Sequence, residues 1–223
     1  EVLEFISVNE DELEKKGEFF YMKSNPNIRV HSKAYKMSKS RGNVVNPDDV
    51  INQYGADSLR LYEMFLGPLE ASKPWQTKNI SGVHNFLNRT WRLIADDAGA
   101  LNPKVQDIEL KGEQEYVLNY TIKKVAEDIE SLSFNTAIAQ MMIFVNEFTK
   151  AEIKPRKALE KFLIILNPFA PHITEELWQI LGNDYSIIHQ RFPEFDISKA
   201  EKSKIEMIVQ VSSKIRAKLS VSK

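Results

Sequence analysis

The chain has 223 residues, 30 basic against 31 acidic, so its formal charge is −1 and a uniformly basic nucleic-acid coat is excluded; any polyanion contact must be local. It contains no cysteine, which removes disulfides, thiolate catalysis and thiolate-ligated zinc together and fits a reducing, cytoplasmic setting. No run approaches the ~20 apolar residues of a membrane span, while 43% hydrophobic residues suffice for one large core or two modest ones.

The amino end, "EVLEFISVNEDELEKKGEFF", has neither an initiator Met nor a basic-then-apolar signal layout, and reads as the continuation of something longer. Residues 1–35 are mixed. "VLEFISV" and "EFFYMK" predict short strands separated by an acidic turn, "NEDELEKKG", and "IRVHSKAY" predicts a further strand.

"YKMSKSRGN", residues 35–43, then sets Lys36, Lys39 and Arg41 around Ser38 and Ser40, just ahead of Gly42. Two flexible ammonium groups among hydroxyl donors suit phosphate oxygens, and glycine lets such a loop swing. A lysine–serine run taken alone is more often a solvated loop.

Helices follow. "NPDDV" starts one, with Asn46 as cap, Pro47 in the first position and Asp48 and Asp49 at the positive end of the dipole; it ends near Gly55. A second runs through "ADSLRLYEMF" to Gly67-Pro68. Ile80, Val83, Leu87 and Ile94 form a helical stripe that leaves Arg89 and Arg92 off it, and Leu118, Ile122, Val125, Ile129 and Leu132 have the spacing of a bundle seam. Ser133 is placed to cap the next stripe, Phe134, Ile138, Met141, Val145 and Phe148. Two more helices are broken at Pro168 and restart near Pro171. Ile208–Val211 predicts a strand, followed by a basic segment that either is disordered or packs as a lone strand and helix. The fold expected is mainly α: an antiparallel helical bundle, preceded by a small mixed α/β segment with the lysine loop and followed by a short β and basic tail. The expected divisions are residues 1–35, the loop and its following helices 36–78, the bundle 79–192 and the tail 199–223.

"KMSKS" followed by "RGNVVNPDDVINQYGADSLRLY" resembles the signature loop of the class I aminoacyl-tRNA synthetases and the segment after it. "RLYEMFLGPLEASKPW", "GVHNFLNRTWRLI", "FNTAIAQMMIFVNEF" and "LNPFAPHITEELW" resemble the leucyl branch of that family, so the likeness runs from about Val30 to Val211. The resemblance implies an ATP-dependent ligation: leucine is activated by Mg-ATP with release of pyrophosphate, then transferred to tRNA(Leu). In that reading Lys39, assisted by Lys36, serves catalysis by holding the ATP phosphates, and Lys36, Met37, Ser38, Lys39 and Ser40 form the nucleotide-binding loop. Mg²⁺ arrives with ATP, with no protein ligand identified. The partners implied are tRNA(Leu), ATP and leucine, with no membrane and a monomeric state. The companion His-Ile-Gly-His-like motif is absent among the four histidines, so this stretch alone is expected to be inactive. A valyl, isoleucyl or methionyl enzyme, or a stand-alone RNA-binding helical module, is the alternative.

Arg89 and Arg92, three apart on one helix, are either solvated surface or phosphate contacts on a bundle that faces tRNA. Lys214, Arg216 and Lys218, within a tail that also holds Lys199, Lys202, Lys204 and Lys223, are either a solubilising tail or an RNA contact. Trp75, Trp91 and Trp178 read as core rather than base-stacking platforms. "HITEE" reads as a helix start with acids in its first turn, not as a zinc site.

Overall fold

The computed structural model describes residues 8, 10–31, 35–201, 204–211 and 214–222. The strand expected in residues 2–8 lies almost wholly outside them, as do residues 32–34 of "IRVHSKAY" and Lys202, Ser212, Ser213 and Lys223. The chain packs as two units, Glu1–Val45 and Asn46–Lys223.

The first unit holds an antiparallel meander of β1 (Leu13–Lys16), β2 (Phe19–Met22) and β3 (Arg29–Val30). β1 lies inside the segment expected to be an acidic turn, and that expectation is corrected. Lys16 pairs with Phe19 across the two-residue connection Gly17-Glu18, and Gly17 takes φ 64, which glycine adopts freely. Among the described residues β1 is an edge strand of this sheet, and its "LEKK" gives no apolar alternation. The Arg29 guanidinium lies 3.5 Å from the centroid of the Phe19 ring, so this sheet is held partly by cation–π contact.

The second unit contains seven α-helices among the described residues. α1 (Pro47–Tyr54) starts as its sequence dictates: Asn46 Oδ1 accepts the Asp48 N–H at 3.1 Å and Pro47 occupies the first turn. α2 (Ala56–Phe65) follows at once, and α3 (Ile80–Ile94) buries Ile80, Val83, Leu87 and Ile94 while Arg89 and Arg92 stay exposed. After β4 (Val105–Gln106) come α4 (Glu113–Glu130) and α5 (Phe134–Lys150). β5 (Lys154–Pro155) pairs with β4 in parallel, and Pro155, lacking an N–H, helps to end that short pairing. α6 (Arg156–Leu166) and α7 (Pro171–Ile180) follow. α5 packs against α2, α3 and α4, and the Phe144 ring stacks on Phe148 at 4.0 Å and on Phe162 of α6 at 4.2 Å. No helix among the described residues is long and apolar enough to cross a membrane.

Three expectations for this unit are corrected. Leu132 is not part of the α4 seam: the helix stops at Glu130 and Leu132 is 57% exposed, with φ 57. Ser133 does not cap α5 with its side chain. The tail is not a strand with a helix but an antiparallel pair, β6 (Lys204–Val211) and β7 (Lys214–Ser222), with Ile205 opposite Val221 and Val211 opposite Lys214. The alternation Ile215, Ala217, Leu219, Val221 carries that signal in a segment whose charges suggested solvent.

Candidate phosphate-binding loop and bundle surface

In the first unit, the segment from Lys36 to Asn43 is shaped by short-range bonds. Lys39–Arg41 make a single 3₁₀ turn, closed by the Gly42 N–H on the Lys39 carbonyl at 3.1 Å. Gly42 sits at φ 66, ψ 16, a left-handed conformation costing other L-residues about 1 kcal/mol or more. Asn43 folds back over the turn. Its Oδ1 accepts the Ser38 N–H at 2.9 Å and its Nδ2 reaches the Lys36 carbonyl at 3.5 Å. The Ser38 and Ser40 hydroxyl oxygens lie 3.3 Å apart, and the Arg41 guanidinium sits 4.8 Å from the Tyr35 ring centroid.

Lys36 and Lys39 are exposed, as are Met37 and Ser40; Ser38 is half-buried. Among the described residues no carboxylate pairs with either lysine. Asn43 was not among the residues singled out from sequence, because a bracket of this kind leaves no pattern beyond a polar residue after a glycine.

In the second unit the candidate residues fall in two places. Arg89 and Arg92 stand one turn apart on α3, and Arg89 Nη1 donates to Asn146 Oδ1 of α5 at 2.5 Å. Both line a cavity that also receives Lys104 and Lys154, two lysines that sequence reading did not bring together. Of the tail candidates, Arg216 is exposed on β7; the side chains of Lys214 and Lys218 lie outside the described residues.

The tryptophans are packed. Trp178 is buried with Nε1 donating to the Tyr185 carbonyl at 2.8 Å, and Trp75 meets Tyr62 edge-on at 5.0 Å; Trp91 is half-buried. The "HITEE" groups have partners of their own: His172 Nδ1 with Asp57 Oδ1 at 2.8 Å, and Glu175 Oε2 with the Ser186 hydroxyl at 2.8 Å. Among the described residues no group of three or more His, Asp or Glu is placed to hold a metal ion.

Residues 25–73 match the family model described as tRNA synthetases class I (I, L, M and V), and residues 115–223 match the anticodon-binding domain of tRNA ligase. Along its whole length the chain is 52% identical, over 225 residues, to a leucine–tRNA ligase of Rhodopirellula baltica. It spans 24% of that protein. Among solved structures it resembles the agnB2 LeuRS of Agrobacterium radiobacter K84, crystallised as a LeuRS-tRNA-LeuAMS ternary complex. The match has a TM-score of 0.66 and 26% identity, and covers 84% of this chain and 26% of that one.

Proposed function

The chain is homologous along its full length to about a quarter of a leucine–tRNA ligase, and from that premise we propose that it supplies the phosphate-gripping loop and the tRNA-facing helical bundle of such an enzyme. The reaction is ATP-dependent activation of leucine followed by transfer to tRNA(Leu). Bound ATP, with the Mg²⁺ it carries, supplies the adenylyl group that activates the leucine carboxylate.

Lys36 and Lys39 act on the leaving diphosphate. As pyrophosphate departs, negative charge builds on its oxygens, and ammonium groups closing on them stabilise the transition state more than the ground state. No proton needs to move through either lysine. The hydroxyls of Ser38 and Ser40 are close enough together to donate to one phosphate, with Lys36 just ahead of the turn and Lys39 opening it. Gly42 is the point about which the loop swings, and closure belongs to the activation step.

The observation that carries this reading is the pair of exposed lysines, Lys36 ahead of one bracketed turn and Lys39 at its start, neither ion-paired to a described carboxylate, inside the segment matched by the class I synthetase model. Lys39→Ala in a full-length ligase carrying this chain should cut leucine-dependent pyrophosphate exchange on the order of 10²–10³-fold, the cost of one lost oxyanion-type donor. Leucine affinity should stay close to wild type. Near-normal exchange would remove Lys39 from the role.

A further inference from the structure

The cavity beside Arg89 and Arg92 has an unusual charge. It measures about 400 Å³ and its wall includes Arg89, Arg92, Lys104, Lys154, Asn102 and Thr149. Four cations converge there in a chain whose net charge is −1, and no carboxylate lines the space. None of the four is ion-paired to a described carboxylate.

Backbone geometry brings them together. The chain turns after α3, with the Asn102 N–H donating to the Ile94 carbonyl at 2.8 Å and Asn102 Nδ2 to the Arg92 carbonyl at 3.1 Å. The next residues pair in parallel with the segment after α5, and the Lys154 N–H donates to the Lys104 carbonyl at 2.8 Å. Two lysines fifty positions apart thus become neighbours, facing two arginines on adjacent turns of α3. Lys154 is the floor, only 5% exposed, with Nζ donating to the Ala151 carbonyl at 3.0 Å; Arg89, Arg92 and Lys104 are exposed at the rim.

Neutralising helix ends is the competing explanation, since α3 and α5 both terminate nearby. Each C-terminus is equivalent to roughly half a negative charge, so the two ends account for about one of the four cations. A buried ammonium without a counter-charge is costly. Burial first, and then the charge of Lys104, hold the Lys154 amine below the ordinary lysine range. An anion in the cavity would relieve both effects.

We propose that this cavity is a seat for a phosphodiester group of the RNA backbone. It rests on the reading of the bundle as tRNA-facing and gives that reading a definite contact. Two guanidinium forks suit phosphate oxygens in pairs, and the lysines add point charge behind them. A volume of this size lies within the range of about 300–1,000 Å³ usual for ligand sites. No aromatic side chain lines the wall, so there is no stacking platform for a base, and the contact is positional and indifferent to sequence.

The test is binding of the full chain to a tRNA(Leu) transcript and to an unrelated tRNA, followed by fluorescence anisotropy across a salt series. Arg92→Gln with Lys104→Gln, both on the exposed rim, should weaken both RNAs by the same factor, about tenfold near 0.1 M salt, and flatten the slope of log K against log salt by about one. Lys154→Met, which keeps length and bulk without charge, should act in the same direction. If the wild-type chain binds neither RNA, the tRNA-facing reading of the bundle fails and takes this seat with it. If the wild type binds while the rim variant keeps both affinity and slope, the seat alone is overturned. Inorganic phosphate at matched ionic strength should displace the RNA no better than chloride; displacement at low millimolar phosphate would reassign the cavity to a small free anion and overturn the proposal.

Discussion

The carboxylate of Asp57, on α2, caps α7 from a distance of more than a hundred residues. Asp57 Oδ2 accepts the Ile173 N–H at 2.8 Å, and Oδ1 accepts from His172 Nδ1 at 2.8 Å and from the His172 N–H at 3.4 Å. Ala170, the residue at the cap position itself, has no side chain to do this. Asp57 is buried and His172 largely exposed, so the cap is a carboxylate held inside and aimed at a helix end. Arg60, one turn further along α2, adds a bond from Nη2 to the Pro168 carbonyl at 3.0 Å.

Asp57→Ala should therefore cost more than a surface cap. Loss of a cap is worth about 0.5–2 kcal/mol, and donors left without an acceptor in a part-buried site add to it, giving about 2–3 kcal/mol. For a domain of this size that is a fall in Tm of roughly 4–12 °C. Asp57→Asn, which keeps one acceptor oxygen, should lose less. A thermal melt of Asp57→Ala within a degree of wild type would show that α7 does not depend on this residue.

At the end of α4 the chain closes as a Schellman turn. The Ser133 N–H donates to the Asp128 carbonyl at 2.7 Å and the Leu132 N–H to the Ile129 carbonyl at 3.1 Å, with Leu132 at φ 57. Glycine is the usual residue there, because a side chain in the left-handed region costs about 1–2 kcal/mol. Leu132→Gly gives part of that back as unfolded-chain entropy, about 0.5–1 kcal/mol, and it removes an exposed apolar group. A net gain of about 0.5–1 kcal/mol in urea unfolding is expected. A loss would mean that the leucine makes contacts outweighing its backbone strain.

Glu160 gives a pH dependence. Burial raises its carboxyl above the ordinary value of about 4.5, against the opposing pull of the Arg156 guanidinium and the Asn183 amide. Because the folded form holds its proton more tightly than the unfolded chain, stability falls as pH rises from about 4.5 through the raised folded value. Glu160→Gln should melt higher than wild type at pH 7, with the gap closing below about pH 4.5. A gap that stays constant across that range would rule out ionisation as its cause.

The bracket made by Asn43 can be tested apart from the lysines it positions. Asn43→Ala frees the Ser38 N–H and loosens the turn without removing charge. In a full-length ligase carrying this chain, pyrophosphate exchange should fall about tenfold, less than for Lys39→Ala, because electrostatic donors remain but are less well oriented. Exchange in Asn43→Ala as low as in Lys39→Ala would give Asn43 a direct part in phosphate binding.

The helices were legible because their start and stop residues are local. Asn46-Pro47-Asp48-Asp49 states a helix beginning, and the stripe Ile80, Val83, Leu87, Ile94 states which side is buried. β1 and β7 were not, since "LEKK" has no alternation to read and the period-two signal of β7 is interleaved with Lys214, Arg216 and Lys218. The lysine loop could be found by its motif, yet its Asn43 bracket could not. Lys104 and Lys154 were invisible as a pair for a different reason: only the parallel pairing of β4 with β5 makes them neighbours. Asp57 likewise reads as an acid in the first turn of its own helix, where charge favours it, and nothing in its surroundings points to residues 172 and 173.

That short parallel pairing separates two properties of the surface it supports. Spacing at positions 104 and 154 is fixed by main-chain atoms, whereas polarity there is written entirely in side chains. Exchanging those side chains would therefore retune what the hollow attracts while leaving its frame standing, a socket whose lining is replaceable and whose dimensions are not.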